Sequence, residues 1–263
     1  MVEEQNHRQK YLYCIIESAE ERSFGAEAIG GRGDVVNTVI FEDLAMVVSD
    51  SPDQKYDNTR ANMMAHETVI ERVMGEGFTV LPVRFGTVTR EASKTPVEDI
   101  QYKVLKARAQ EFHELLDEMD NKVELGLRAL WRDEKAIFEE ILAENGAIRK
   151  RRDSLTDRPP ASTHYERWQL GERVKAAMDS KREKEGGRLL AGIRPLAVQH
   201  RENKVIMDRM VLTAAFLVDK YQEAEFDEMV RRLDGELEER MMFKYSGPNP
   251  PFNFVEIVVT WEE

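Results

Sequence analysis

The stretch FTVLPVRFGTV, at Phe78–Val88, decides the fold that we predict for this chain. It begins as an apolar run rich in β-forming residues, which predicts a buried strand. Pro82 lacks the N–H group that a sheet ladder needs, so we place it at a sheet edge or at a strand end. Gly86 can adopt backbone conformations that other residues disfavour, which predicts a tight turn after the strand.

Arg84 follows Pro82 and presents a permanent positive charge with five donors. In one interpretation its head group bonds carbonyls or a neighbouring carboxylate, and so ties the sheet to the adjacent loop or helix. In the other, Arg84 and Thr87 grip a small anion at the sheet edge. One arginine and one glycine make no phosphate cradle, so the residues favour the first interpretation.

The motif LPVRFGTV, at Leu81–Val88, resembles the signature of the gas-vesicle accessory proteins of the GvpF/GvpL family. The segment GPNPPFNFV, at Gly247–Val255, resembles the closing segment of that family, and YLYCII, at Tyr11–Ile16, resembles its opening strand. The three occur in the family's order and span nearly the whole chain. The resemblance implies these signature or partner-binding positions: Leu81, Pro82, Val83, Arg84, Phe85, Gly86, Thr87, Gly247, Pro248, Pro250, Pro251, Phe252 and Phe254.

The resemblance also implies a function. Such proteins are minor components or accessory factors that bind the hydrophobic major shell protein, and other accessory proteins, during gas vesicle nucleation and formation. The implied location is the gas vesicle or the cytoplasm. The alternative from another class is a small-molecule (anion) binding α+β regulatory module built on Arg84 and Thr87.

Composition limits the function classes. The chain has 263 residues, 41% of them hydrophobic and 33% charged, with a net charge of −12. The acidic balance disfavours nucleic acid as a partner, and no apolar run approaches membrane-spanning length. The polar N-terminus has no signal-peptide core, which predicts an intracellular protein. The single cysteine, Cys14, lies in an apolar run and is interpreted as a small buried hydrophobe.

Periodicity predicts the elements of the first half. Lys10–Glu17 is predicted as a central strand, and Val35–Phe41 and Leu44–Ser49 as a hairpin. A helix is predicted over Thr59–Met74, with His66 on its apolar face as a packed, hydrogen-bonded residue. A second helix is predicted to begin with Thr95 as its cap and to continue to Met119.

In the second half, strands are predicted at Lys122–Arg132, Met210–Val218, Met241–Tyr245 and Phe254–Trp261. A long, mostly polar helix starts near Thr163, and Gly186-Gly187 is predicted to break or loosen it. Such a polar helix projects into solvent or meets another protein. The closing segment carries three prolines and two phenylalanines, which predicts that it docks against the N-terminal domain.

The predicted fold class is α+β with two domains. Residues 1–121 form an N-terminal ferredoxin-like domain, an antiparallel sheet with helices on one face. Residues 122–245 form a C-terminal α+β domain of modified ferredoxin-like build with extra helices, and residues 246–263 form a docked tail. The ferredoxin-like description is what the family resemblance implies.

No motif in the sequence proposes catalysis. No nucleophile elbow, Walker loop, Ser/His/Asp order or zinc-ligand spacing can be assembled, and the five histidines are scattered. We therefore expect no enzyme, no metal and no cofactor.

For the shell protein, we predict binding by the N-terminal domain through an exposed sheet edge beside Pro82, and the 12 methionines are compatible with adaptable binding.

Overall fold

The computed structural model describes residues 9–90, 93 and 95–261. The chain divides into two compact units. The first contains the described residues up to Glu124 together with those from Pro248 onward, and the second is Leu125–Gly247. The closing residues thus belong to the first unit. The narrower limits of 1–121, 122–245 and 246–263 stay a prediction.

The first unit is built on an antiparallel sheet with the strand order β2-β3-β1-β4. The predicted hairpin is confirmed, and Glu42 turns it with a positive φ of 56°. The elements are β1 (Lys10–Glu17), β2 (Val36–Phe41), β3 (Leu44–Asp50), α1 (Arg60–Gly75), β4 (Leu81–Pro82), α2 (Pro96–Glu98), a π-helical segment (Asp99–Lys106) and α3 (Ala109–Met119).

The core of the first unit surrounds β1, which is buried along nearly its whole length. Tyr11 and Tyr13 pack with the apolar residues of α1, and Leu12 and Ile15 on the alternate positions are also fully buried. Helix α1 contacts β1, and the helical region 99–119 contacts all four strands. The continuous apolar run of β1 is therefore explained by burial of both its faces.

The second unit contains a sheet with the strand order β6-β7-β5-β8. Strand β7 is buried at nine consecutive positions, and the predicted strands at 122–132 and 210–218 are confirmed. The elements are β5 (Lys122–Trp131), α4 (Glu134–Glu144), α5 (Gly146–Thr156), α6 (His164–Ile193), β6 (Gln199–Glu202), β7 (Met210–Asp219), α7 (Glu223–Glu236) and β8 (Met241–Asn249).

Three sequence predictions about regular structure are wrong. The strand predicted at the beginning of the Phe78–Val88 stretch is reduced to the two residues of β4. The strand at Phe254–Trp261 is an irregular segment that makes a single isolated bridge, between Val83 and Ile257. The helix after Thr95 is divided by the π-helical segment, and the Thr95 side chain makes no capping bond.

The glycine pair in α6 corrects a fourth prediction, because the helix runs unbroken through it for 30 residues. Gly186 is buried, and a Cβ placed there would lie 3.3 Å from the Val211 carbonyl oxygen. A Cβ placed at Gly187 would meet nothing within 4 Å. The first glycine therefore lets the helix approach strand β7 closely, whereas the second is a helix residue without a packing role.

These two glycines generate the first testable prediction. We expect Gly187→Ala to raise the free energy of unfolding by about 0.5–1 kcal/mol, because alanine loses less backbone entropy in a helix. Gly186→Val should lower that free energy, since its branched side chain must displace the Val211 carbonyl. Urea unfolding followed by circular dichroism measures both. Equal effects of the two substitutions would contradict the proposed close approach.

Candidate functional site

The closing segment lies directly beside the signature motif of the first unit. The amide of Ile257 donates to the carbonyl of Pro82 at 2.8 Å, and the amide of Arg84 donates to the carbonyl of Ile257 at 2.9 Å. Val83, between them, turns its amide the other way and donates to Tyr13 of β1 at 2.8 Å. The predicted docking of the closing segment is confirmed. We call Leu81–Val88 together with Pro250–Ile257 the signature junction.

Pro82 stands at the sheet edge, as predicted, but that edge is not open. The carbonyl of Pro82 and the amide of Arg84 are both occupied by Ile257. The opposite edge is also covered in part, because the segment beside β2 bonds Val36 through Phe24 and Gly25. The prediction of an exposed sheet edge beside Pro82 is therefore wrong for this unit.

The head group of Arg84 bonds a neighbouring carboxylate on the closing segment. Its Nη2 and Nε donate to Oε2 of Glu256 at 2.8 and 3.2 Å, and both side chains are about half exposed, at 54% and 53%. The Thr87 hydroxyl donates to the Arg84 carbonyl at 2.6 Å. Because the two residues that were considered for an anion site are already engaged here, this geometry supports the structural interpretation.

A chain of hydrogen bonds from the core of the first unit holds the turn at Gly86. The amide of Gly86 donates to the Tyr11 hydroxyl at 3.0 Å, and this hydroxyl lies 3.0 Å from Nδ1 of His66. The His66 ring also bonds the backbone of Val83. Since the Val83 carbonyl can only accept, the ring donates to it through Nε2, and Nδ1 accepts from Tyr11. The predicted role of His66 as a packed, hydrogen-bonded residue is confirmed.

Burial keeps the His66 ring neutral. The side chain is 4% exposed, and this desolvation lowers the pKa of His66 to about 4, although the bond to Val83 acts in the opposite direction. Aromatic rings enclose it, with Tyr13 stacked at 5.7 Å and Phe85 edge-on at 5.7 Å between ring centroids. Phe252 of the closing segment packs on the same core.

The rest of the closing segment is anchored by polar contacts. Asn253 donates from its backbone amide and its side chain to the two oxygens of Glu124, at 2.7 and 2.6 Å, and Glu124 is 4% exposed. Arg108 donates to the Val258 carbonyl at 2.8 Å, and the Trp261 indole donates to the Val88 carbonyl at 2.9 Å. These contacts fix the segment along its length.

The structure brings most of the sequence-predicted positions together in this junction. Gly247 and Pro248 instead lie at the exposed end of β8, where Gly247 has a φ of 132° that favours glycine. The buried positions are Leu81, Pro82, Val83, Pro250 and Pro251, and the partly exposed ones are Phe85, Gly86, Thr87, Phe252 and Phe254. Their placement as partner-binding residues stays a prediction.

Sequence reasoning missed residues outside the signature junction that bind it. Tyr11 was part of a predicted strand, but nothing in the sequence pairs its hydroxyl with Gly86 and His66. The alternation of apolar and polar residues in the strand places Glu124 on the polar face. Its partner Asn253 is 129 residues away in the sequence. The signal that could have identified Glu124 as a buried, bonded residue is its position as a carboxylate inside an otherwise buried strand.

Comparisons with known proteins identify the family. A sequence model described as "Gas vesicle synthesis protein GvpL/GvpF" matches residues 9–256. The chain belongs to the GvpL/GvpF family. It is 29% identical to Gas vesicle protein F of a Streptomyces species, over 94% of this chain and 99% of the relative. It is 24% identical to Gas vesicle protein F of a Nostoc species, over 94% and 98% of the two chains.

Solved structures share the fold of this family member. The crystal structure of GvpF from Anabaena sp. superposes with a TM-score of 0.78 at 24% identity, over 95% of this chain and 99% of that chain. GvpF from Microcystis aeruginosa gives a TM-score of 0.75 at 22% identity, over 94% and 98%. The predicted α+β fold class with two domains and a docked tail is thereby confirmed.

The buried His66 generates a prediction about pH. The unfolded chain binds a proton at His66 below pH 6.5, whereas the folded chain resists protonation down to about pH 4. Because the unfolded state then binds more protons, this contribution to stability is complete above pH 6.5 and is lost as the pH falls toward 4. We expect the free energy of unfolding to fall by about 1.4 kcal/mol per pH unit in that window.

Urea unfolding at pH 7.5, 6.5 and 5.5 measures this dependence, above the range where ordinary carboxylates titrate. His66→Gln is the matched variant. Its stability should be lower at pH 7.5, because the packed ring and its bonds are lost, but nearly constant from pH 7.5 to 5.5. The same pH slope in the variant and in the parent chain would contradict the assignment to His66.

A third prediction contrasts a buried anchor of the closing segment with an exposed one. Asn253→Ala removes a side-chain donor from the buried Glu124 carboxylate, and we expect a loss of about 1–3 kcal/mol in the free energy of unfolding. Arg84→Gln breaks a solvent-exposed ion pair, whose screened charges predict almost no change in the unfolding midpoint. Chemical denaturation ranks the two. A larger effect for Arg84→Gln would refute the ranking.

Proposed function

We propose that this GvpL/GvpF family member, a gas vesicle accessory protein, binds the apolar major shell protein during gas vesicle formation and has no catalytic role. The family description and the names of the curated relatives support the gas vesicle context. The proposal assigns shell binding to the first unit, the one that contains the signature junction.

The observation that carries this proposal is a pair of exposed methionines on α1. Met63 and Met64 are 41% and 51% exposed, on the helix whose inner face contributes His66 to the junction. Methionine side chains are flexible and polarizable, so they adapt to irregular apolar partners. A rigid helix with an adaptable apolar surface suits a chaperone-like contact with a strongly hydrophobic protein.

Strand addition is the less favoured route. In the first sheet, the edge beside β4 is covered and the edge beside β2 is covered in part, as described above. In the second sheet, β8 is an edge strand with mostly exposed residues, and it contains Lys244 and Pro248. A lysine and a proline on an edge strand both oppose pairing with another chain. These features favour the methionine surface over a sheet edge.

Several features support a role without catalysis. Among the residues that the structure describes, no group of three or more His, Cys, Asp and Glu side chains could hold a metal ion. Burial raises the pKa of the Cys14 thiol far above its usual range, which suits a packing residue and not a nucleophile.

Over the same described residues, no helix has the length and apolar character needed to cross a membrane.

Other accessory proteins are proposed as partners of the second unit. Tyr165 and Trp168 stack on each other at the start of α6, with 5.9 Å between ring centroids, and both are more than half exposed. Aromatic side chains are enriched at protein interfaces because they bury a large area with few rotatable bonds. This exposed pair supports a protein contact at the beginning of the long helix.

The fourth prediction tests shell binding with the full-length chain. Met63→Gln/Met64→Gln keeps helix propensity and removes the apolar surface, and we expect it to lower recovery of co-expressed major shell protein at least fivefold in a pull-down. The control, Ala61→Gln/Thr68→Gln, changes two exposed residues of the same helix and should recover shell protein like the parent chain.

Thermal unfolding of both variants checks that the fold is retained. If the methionine variant is folded and recovers as much shell protein as the parent, the first unit does not bind through this surface. If both variants lose recovery equally while folded, the methionines have no specific role.

A further inference from the structure

A large groove in the second unit runs along α6. It has a volume of about 910 Å³ and is bounded by α4, α5 and α7. Its apolar floor contains Ile148, Leu189, Leu233 and Leu237, of which the first two are buried and the last two are partly exposed. An open groove with a leucine-rich floor, lined by helices, is the type of surface that accepts another helix.

One end of this groove is fixed by a network of ion pairs. Arg240 forms two bonds to Glu140, at 2.8 and 2.9 Å, and two to Glu185, at 2.6 and 3.1 Å. The Trp131 indole donates to Glu185 at 2.9 Å, and Lys181 lies 3.0 Å from Glu140. Arg240 thereby holds the pKa of Glu140 at about 2. Because these charges satisfy one another, they are not available to a ligand.

Three other cations along the groove differ from this network. Arg173, Lys184 and Arg188 are exposed, and none of them has a carboxylate partner among the described residues. Counted over the described lining, the groove has five basic and three acidic side chains, a net charge of +2 in a chain of −12. The groove is thus an electropositive surface on an acidic protein, which favours an acidic partner.

The spacing of the cations sets the length of that partner. Arg173 and Arg188 lie on one face of the continuous helix α6, with Lys184 between them. At 1.5 Å per residue they are about 22 Å apart, which equals roughly four turns of a facing helix. A small anion would meet only one end of this row, whereas an acidic helix would meet all three cations.

We propose that this groove binds an acidic amphipathic α-helix, about four turns long, from another protein. Its apolar residues would pack on the leucines of the floor, and its carboxylates would pair with Arg173, Lys184 and Arg188. A second copy of this chain is an alternative occupant that the experiment below distinguishes. This inference is independent of shell binding by the first unit.

The experiment uses the full chain and a fluorescent 18-residue peptide. Its leucines are spaced alternately three and four residues apart, and all its other residues are glutamates. Fluorescence anisotropy should show saturable binding to the parent chain. Arg173→Glu/Lys184→Glu/Arg188→Glu should weaken it at least tenfold. The control variant Lys175→Glu/Lys204→Glu/Lys220→Glu has the same change in net charge outside the groove and should bind within twofold of the parent.

A second variant and two further probes keep the test decisive. Ala176→Trp fills the groove without removing a charge and should also weaken binding at least tenfold, with thermal unfolding confirming that each variant is folded. A peptide with lysines in place of the glutamates should not bind. Equal binding of both peptides, or unchanged binding by the groove variants, overturns the proposal.

Two other results would assign the groove to another occupant and overturn the proposal as well. One is a concentration-dependent dimer of the parent chain, seen by light scattering, that the groove variants abolish. The other is stabilisation by inorganic phosphate alone that depends on Arg173, Lys184 and Arg188, with no binding of the acidic peptide.

Discussion

The amide of Ile257 donates to the carbonyl of Pro82, and the amide of Arg84 donates to the carbonyl of Ile257. The first unit depends on this pair of bonds because β4 pairs with β1 over only two residues and turns the carbonyl of Pro82 toward its outer edge. Without the closing segment, the carbonyl of Pro82 and the amide of Arg84 would face solvent at the sheet edge. The segment supplies their partners and brings Phe252 onto the same core.

The buried polar groups of the first unit are also paired with one another. Tyr11 is fully buried, so its hydroxyl needs partners, and Gly86 and His66 provide one donor and one acceptor. The His66 ring in turn uses its second nitrogen on Val83. A turn of the signature motif is thereby held to β1 and α1 by buried hydrogen bonds, which gives this histidine a structural role.

Sequence patterns predicted much of this architecture because they report local physics. Alternation located β5 and β7, and the missing N–H of Pro82 located the sheet edge. The same patterns could not report contacts between distant residues. Gly186 was interpreted as a helix breaker because a glycine in a sequence does not reveal the Val211 carbonyl that approaches it. Likewise, nothing near Arg84 identifies Glu256 as its partner.

In the candidate site, too, the sequence predicted local features and not contacts between distant residues. The two motifs were found from the sequence, and their docking followed from the prolines and phenylalanines of the closing segment. The closed edge beside Pro82 was not predicted, because it depends on the register between Val83 and Ile257. The groove on α6 was also beyond sequence patterns, since its floor combines residues of the separate helices α5, α6 and α7.

The position of the closing segment in the chain has a consequence for folding during synthesis. Arg84 and Glu256 are 172 residues apart, and the second unit is translated between them. At ~5–20 residues per second, the ribosome needs roughly 10–35 s to cover that distance. Throughout this interval β4 leaves an unprotected edge over an incompletely covered core. The first unit to emerge is therefore the last to be completed, and the nascent chain is most prone to aggregate before its final residues appear.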